Sequence, residues 1–325
     1  MSARTTLVTA ASENHLPHLL CWAHAANEHA SKNAQKFRLA AHDLVGDFSA
    51  SSLALLHDAN PSLSMHRVNW SSMPAHAMLN PPSRTLDMSR SDQYAHVESA
   101  LKGHYAWKPH LIASALAVAA RGACVVWADG ETALRSNRTL DSYCAHAQGN
   151  DGFWAGGLGI TKNSGSLGQW THPGMLDHLR RMPLPSRGGA PLPALSLVHA
   201  NLSSLTQCDA GVLAVIQGSA GGRAVMEAWL SCADDEACIA PHGSTRGNHR
   251  QDQSALSLVA HAYRFDALHH GGELFRHKLP CGFRMGESHL LTRRVHAQLS
   301  GVHARTGKRT LRCSHGKNVS SIVLL

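Results

Sequence analysis

Residues 124–135 read CVVWADGETALR, and the change of character in the middle of this stretch decides the fold. Cys124, Val125, Val126, Trp127 and Ala128 form an unbroken apolar run with β-branched and aromatic content, the pattern of a strand covered on both faces in a parallel sheet. Asp129 and Glu131 follow at once. Ligands of open α/β sheets bind beyond the carboxyl ends of the strands, so two acids one residue apart at such an end are candidates for chemistry.

Immediately upstream, GHYAWKPHLIASALAVAARG predicts a helix with Pro109 at its first position, an apolar face of Leu111, Ile112, Ala115, Leu116 and Ala119, and Gly122 as its stop. Towards the N-terminus, Thr5–Ala10 reads as a strand, Leu16–His29 as a helix and Arg38–His42 as a second strand ending at Asp43. This is the opening βαβ of a nucleotide-binding half. No GxGxxG follows the first strand, which argues against a dinucleotide site. A short helix at Ser51–His57 and a third strand at His66–Trp70 come next, then a loop over 71–93.

Downstream, the glycine-rich residues 149–170 suggest a mobile flap. Ala210–Ile216 is a further apolar stretch, Gly222–Cys232 an amphipathic helix, and Asp252 a cap for a helix over Ser254–Ala262. The last sixty residues are basic and histidine-rich and read as strands and loops wrapping the core. The expected organisation is a domain core over residues 1–265 with a C-terminal extension, 266–325, packed on it.

The chain has 325 residues, 43% of them hydrophobic, enough for a sizeable core. Its net charge of +8 favours anionic ligands. The basic residues are scattered except near the end, and no nucleic-acid motif accompanies them, so no nucleic-acid partner is expected. Eight cysteines show no zinc spacing. Cys232 and Cys238 flank ADDEA and could close a loop in an oxidising compartment, with buried thiols as the alternative. The apolar patterning predicts no unbroken membrane span, and the first residues read as a strand rather than a signal peptide.

Asp129 and Glu131 have the spacing of a clamp for a hard cation on a diphosphate; solvated turn carboxylates are the plain alternative. VVWADGETALRSN resembles the acid-x-acid segment of GT-A glycosyltransferases. LVTAASENH, YAWKPHLIASAL, WTHPGMLDHL, CDAGVLAV, MEAWLSC and HRQDQSALSLVAH are similar, in order over about residues 5–265, to segments of a eukaryotic glycosyltransferase-like domain family. Glu131 departs from the pattern, which generally has aspartate there.

The resemblance implies a GT-A-like α/β fold, a mixed, mainly parallel twisted sheet with helices on both faces. It implies transfer of a sugar from a nucleotide-diphosphate donor, a UDP-sugar, to a glycan or other hydroxyl acceptor, with Mn2+ or Mg2+ held by Asp129 and Glu131. A Golgi lumen is the location such families suggest. Thr9, Ala10, Ser12 and Asp43 would line the nucleotide pocket, although Ser12 suits a helix cap equally well. Lys108 would meet the diphosphate or donor sugar, or simply be solvated. Asp209 and Gly211 would form the acceptor side, with a turn role as the alternative for Asp209. Asp252 would face the anomeric carbon while capping its helix, and Gln253 would bond sugar hydroxyls.

Trp154 and Trp170 are candidate sugar platforms, whereas Trp22, Trp127 and Trp229 suit the core. His270 and His289 are candidates for a third metal ligand. A rival reading is a catalytically silent carbohydrate- or nucleotide-binding module on the same fold. Serine-nucleophile and P-loop motifs are absent from the sequence.

Overall fold

The apolar run at Cys124–Ala128 is a strand with all five residues buried, and the rest of the domain is layered on either side of it. The computed structural model describes residues 5–12, 15–33, 37–78, 103–130, 137–157, 166–182, 202–269, 296–300, 309–315 and 318–324. In chain order the first half comprises β1 (Thr5–Ala11), α1 (Leu16–Asn33), β2 (Arg38–Asp43), α2 (Ala50–Ala59), β3 (Leu63–Arg67), α3 (Trp107–Val118) and β4 (Cys124–Ala128). The second half comprises α4 (Asn137–Gly149), β5 (Phe153–Gly157), α5 (Pro173–Arg181), β6 (Cys208–Ile216), α6 (Ala220–Asp234), α7 (Glu236–Ile239), α8 (Gln251–His269), β7 (His296–Ser300), β8 (Arg309–His315) and β9 (Asn318–Leu324).

The main sheet has the order β3-β2-β1-β4-β6-β5. β3, β2, β1 and β4 run parallel, and β6 is antiparallel to both β4 and β5. Strand alternation produces two cores. Val8, Val125, Trp127, Leu213 and Val215 share one core with the apolar faces of α3, α6 and α8. Leu7, Cys124, Val126, Ala128, Val212 and Ala214 share the other with α1, α2 and α4. Helices therefore cover both faces, and the fold is the mixed, mainly parallel α/β class expected from the sequence. β7, β8 and β9 form a separate antiparallel sheet that lies against α1.

One irregularity matters for the site. β6 is in register with β5 at Ala155 and Leu213, but Gly156 pairs with Asp209, so β6 bulges around Gly211. Bulges re-aim side chains and terminate pairing beside functional sites. Here the bulge lies opposite the end of β4, where the Asp129 N–H donates to the Gly211 carbonyl at 2.8 Å.

Several elements differ from expectation. The third strand ends at Arg67, and Trp70 opens a single 3-10 turn, donating from Nε1 to the Leu44 carbonyl. Helix α3 begins at Trp107, and Gly122 with φ +81° lies in the turn beyond its Ala119 cap. The segment read as a flap contains β5, whose Phe153, Trp154 and Ala155 are buried. Helix α4 was not anticipated, although Leu140, Tyr143, Cys144 and Ala147 are buried at helical spacing. Helix α8 starts at Gln251 rather than Ser254 and runs to His269.

Disulfides join Cys124 to Cys144, tying β4 to α4, and Cys232 to Cys238 across the α6–α7 turn. Cys21 and Cys208 are disulfide-bonded too. Among the described residues, no helix is long and apolar enough to cross a membrane.

Candidate active site

Three chain segments converge at the carboxyl end of β4. Asp129 leaves that strand, Lys108 lies in the first turn of α3, and Asp252 is the second residue of α8. Lys108 Nζ lies 3.1 Å from Asp129 Oδ1 and 3.3 Å from Asp252 Oδ2, and donates to the Ala210 carbonyl at 3.2 Å. The ammonium also sits 5.6 Å from the Tyr105 ring centroid and 5.8 Å from that of Trp127. Trp127 Nε1 donates to Asp129 Oδ1 at 2.7 Å, so an indole otherwise sunk in the core orients the acid.

The backbone entering α3 holds this lysine in an uncommon way. Gly103, His104 and Tyr105 all have left-handed φ, between 51° and 57°. A Cβ on Gly103 would lie 2.0 Å from the Ala77 carbonyl oxygen, so only glycine fits. Gln251, next to Asp252, has φ +36°. Non-glycine residues in such regions cost on the order of 1–3 kcal/mol each and gather at functional sites.

Burial alone would lower the Lys108 pKa, but the charges of Asp129 and Asp252 outweigh it and raise it. Asp252 shifts the other way from a favourable ion pair. Burial, with repulsion from Asp129, outweighs the pull of Lys108 and pushes its carboxyl up to about 6. One ammonium faces two carboxylates, so Lys108 stays charged and the more buried acid, Asp252, takes a proton most readily. Its Oδ2 is buried and within ion-pair range of Lys108.

Asp209 is the third acid. Its Oδ1 accepts the Gly211 N–H at 2.8 Å, and burial raises its pKa. A Cβ on Gly211 would lie 3.0 Å from Asp209 Oδ1 and 3.1 Å from Asp129 Oδ2. The bare glycine is what lets the two carboxylates stand side by side.

The end of β1 closes the same site. Gly130 runs so near it that a Cβ there would lie 3.5 Å from the Ala10 carbonyl and 3.7 Å from Thr9 Oγ1. Thr9 Oγ1 is buried without a hydrogen-bond partner. Ser12, one residue past the strand, lies 3.3 Å from His15 Nδ1. Asp43 ends β2 beside Ala11, but its oxygens accept the N–H groups of Val45, Gly46 and Phe48; that carboxylate is occupied in shaping the loop.

Gln253 Nε2 donates to Gln207 Oε1 at 2.6 Å, which joins α8 to the start of β6. Trp154 is 6% exposed and stacked on Tyr143 at 4.5 Å. Its side chain belongs to the core on the α4 face of the sheet, so it offers no sugar platform there. Trp170 is half-buried, with the Arg250 guanidinium 4.4 Å from its ring centroid. Glu131, His270 and His289 lie outside the described residues.

Asp129 fits a hard cation as one oxygen ligand. Its side chain is 43% exposed, against 8% for Asp252, and a diphosphate-bound Mg2+ or Mn2+ usually takes only one or two protein carboxylates. No group of three metal-binding side chains gathers among the described residues. The sequence did not point to Tyr105, Trp127 or Arg250 as site residues. The last stands two places before Asp252 in HRQDQ, the one local signal available.

The fold and this site define a mixed α/β domain with a lysine-bridged acidic site at the switch from parallel to antiparallel strands. No protein-family model and no curated protein matches the chain. It is similar in structure to the bifunctional glycosyltransferase WbbM, at 14% identity and a TM-score of 0.42, over 80% of this chain and 38% of that one. The chain thus spans well under half of WbbM. It is also similar to the galactosyltransferase LgtC in complex with donor and acceptor sugar analogues, at 13% identity and a TM-score of 0.39, over 86% and 84% of the two chains. A third similar structure is core-mannan synthase A from Aspergillus fumigatus in its Mn/GDP form, at 10% identity and a TM-score of 0.45, over 79% and 69%.

Proposed function

We propose that this protein is a glycosyltransferase that moves a sugar from a nucleotide-diphosphate donor, a UDP-sugar, to a hydroxyl acceptor. The observation that carries the reading is the Lys108 ammonium enclosed between Asp129 and Asp252 at the carboxyl end of β4, beside the unpartnered Thr9 hydroxyl at the end of β1. The nucleotide takes the Thr9–Ser12 side. Asp129, together with Glu131, would hold Mn2+ or Mg2+, which when bound offsets charge on the leaving diphosphate.

Lys108 supplies a fixed positive charge in a water-poor setting, where it favours negative charge developing on the departing phosphate. Asp252 faces the anomeric carbon, where its ionised carboxylate takes the acceptor hydroxyl proton or offsets positive charge growing on the sugar. As the new glycosidic bond forms, the bond to the diphosphate breaks and its electron pair leaves with the phosphate. Asp209 and Gly211 border the acceptor side. The disulfides fit an oxidising compartment such as the secretory lumen.

The test is a thermal-shift series with UDP and UDP-sugars, with and without Mn2+, because selective binding to the folded state raises apparent stability. It is paired with an assay of UDP release. Release that disappears in a folded Asp129→Ala protein supports the transferase; UDP-sugar binding without release in the wild type assigns a silent binding module instead.

A further inference from the structure

Beyond the lysine-bridged acids, the entry to α8 carries a second charged feature, the Arg250–Trp170 stack. Arg250 is anchored twice to Trp170. Its backbone N–H donates to the Trp170 carbonyl at 3.1 Å, and its guanidinium lies over the indole ring. The same carbonyl accepts from Ser254 Oγ at 2.5 Å. Stacking leaves the edge of a guanidinium, with its in-plane N–H donors, free to bind.

Among the described residues, nothing negative answers this cation. Arg250 Nε is buried without a hydrogen-bond partner, and the charged group acting most on it is a second cation, Arg246. The donors around it are in surplus. Trp170 Nε1 and Thr171 Oγ1 are buried and unpartnered, as is Nε2 of Gln207, which is 1% exposed and bonded through Gln253 to the next turn of α8. Buried polar groups are satisfied in the great majority of cases. Unmet donors on this arginine and on the tryptophan beneath it call for a ligand that brings acceptors.

We propose that Arg250, held flat by Trp170, binds an oxyanion on the acceptor, so that the acceptor is a hydroxyl compound carrying a carboxylate or phosphate group. This rests on the transferase reading for the word acceptor, and on the unmet donors for the anion. The position favours the acceptor over the donor's diphosphate. Arg250 stands two residues before Asp252, the group placed at the acceptor hydroxyl, whereas the diphosphate is placed at Asp129, across Lys108 from Asp252.

The experiment titrates the full-length protein with glucuronate, glucose, inorganic phosphate and, separately, UDP. Glucuronate and phosphate are expected to bind and glucose to bind far more weakly. Arg250→Gln is expected to weaken glucuronate by on the order of 10- to 100-fold, the worth of hydrogen bonds to a charged group, with UDP affinity unchanged. Arg250→Lys keeps the charge without the two-pronged geometry and carries the test if the glutamine variant does not fold; a several-fold loss for glucuronate is expected.

Equal binding of glucose and glucuronate overturns the proposal, as does a parallel loss of UDP affinity in Arg250→Gln, which would place the anion on the donor. Glucuronate binding that depends on Arg250 in a protein showing no UDP binding or release keeps the anion site while the transferase reading fails. UDP release from a protein that ignores glucuronate does the reverse.

Discussion

Lys108 Nζ lies 3.3 Å from Asp252 Oδ2, joining the first turns of two helices that pack over the same face of the sheet. Asp129 completes the bridge from the other side. The arrangement makes the lysine a structural counter-charge as well as a source of positive potential, and its removal is informative on both counts. Lys108→Met leaves two acids facing each other without their cation, and breaking a buried pair in this way costs about 3–5 kcal/mol. Adding Asp252→Asn to Lys108→Met should recover part of that loss. Denaturant unfolding of the two single variants and the double should therefore be clearly non-additive.

Asp252 titrates near 6 because burial outweighs its ion pair. If its ionised form is needed for transfer, turnover rises about tenfold per pH unit below that value and levels off above it. The stability effect has the opposite sense. Since the folded pKa is above the ordinary aspartate value of 3.8, the folded state holds its proton more tightly, and the associated stability is lost as pH rises from about 4 to about 6. A pH–rate profile with no acidic limb in this range would remove Asp252 from the reaction.

Gly211 separates the carboxylates of Asp209 and Asp129 by the width of a missing methyl group. Gly211→Ala places a Cβ 3.0 Å from one and 3.1 Å from the other. The acids must give by a few tenths of an ångström. Misplacement of reacting groups on the scale of 1 Å costs roughly 100-fold in rate, so a substantial fall in turnover is expected with a nearly unchanged melting temperature. Steady-state kinetics alongside a melting curve would show it, and full activity in the alanine variant would mean that the acids do not act as a set.

His249 is a pH sensor of stability rather than of chemistry. Its Nδ1 accepts the His172 N–H at 3.3 Å and its Nε2 lies 3.1 Å from the Ile239 carbonyl, which requires a neutral ring with the proton on Nε2. Burial lowers its pKa to about 4, from the ordinary histidine value of 6.5. The stability it contributes is complete above 6.5 and falls away as pH drops towards 4, by about 3 kcal/mol in all. Denaturation midpoints of wild type and His249→Gln across that range should converge at low pH; parallel curves would show that the ring titrates normally.

Much of the architecture can be read without coordinates. The apolar run ending at Asp129, the early βαβ and the Pro109 helix are local patterns, and hydrophobic periodicity specifies them because each strand or helix must bury one face or both. Glycine misleads the same reasoning at residues 149–170. Gly156 lies in a sheet strand, where a side chain would press on neighbouring Asp209 beside the β6 bulge. Trp154 shows the same limit for aromatics: a tryptophan beside glycines looks like a platform, but its place in the alternation of β5 turns it into the core.

What the chain itself determined was the alternation of elements and the residue types available at each strand end, because these follow from side-chain volume, polarity and backbone freedom over a few residues. Tertiary structure alone decided that Lys108 meets Asp129 and Asp252, that Trp127 orients the acid it precedes, and that Arg250 lies on Trp170 facing no acid among the described residues. Those relationships depend on how helices far apart in sequence settle over one sheet face. Burial then removes the water that would otherwise screen each charge, so the same side chains acquire shifted protonation and partners that no local pattern encodes.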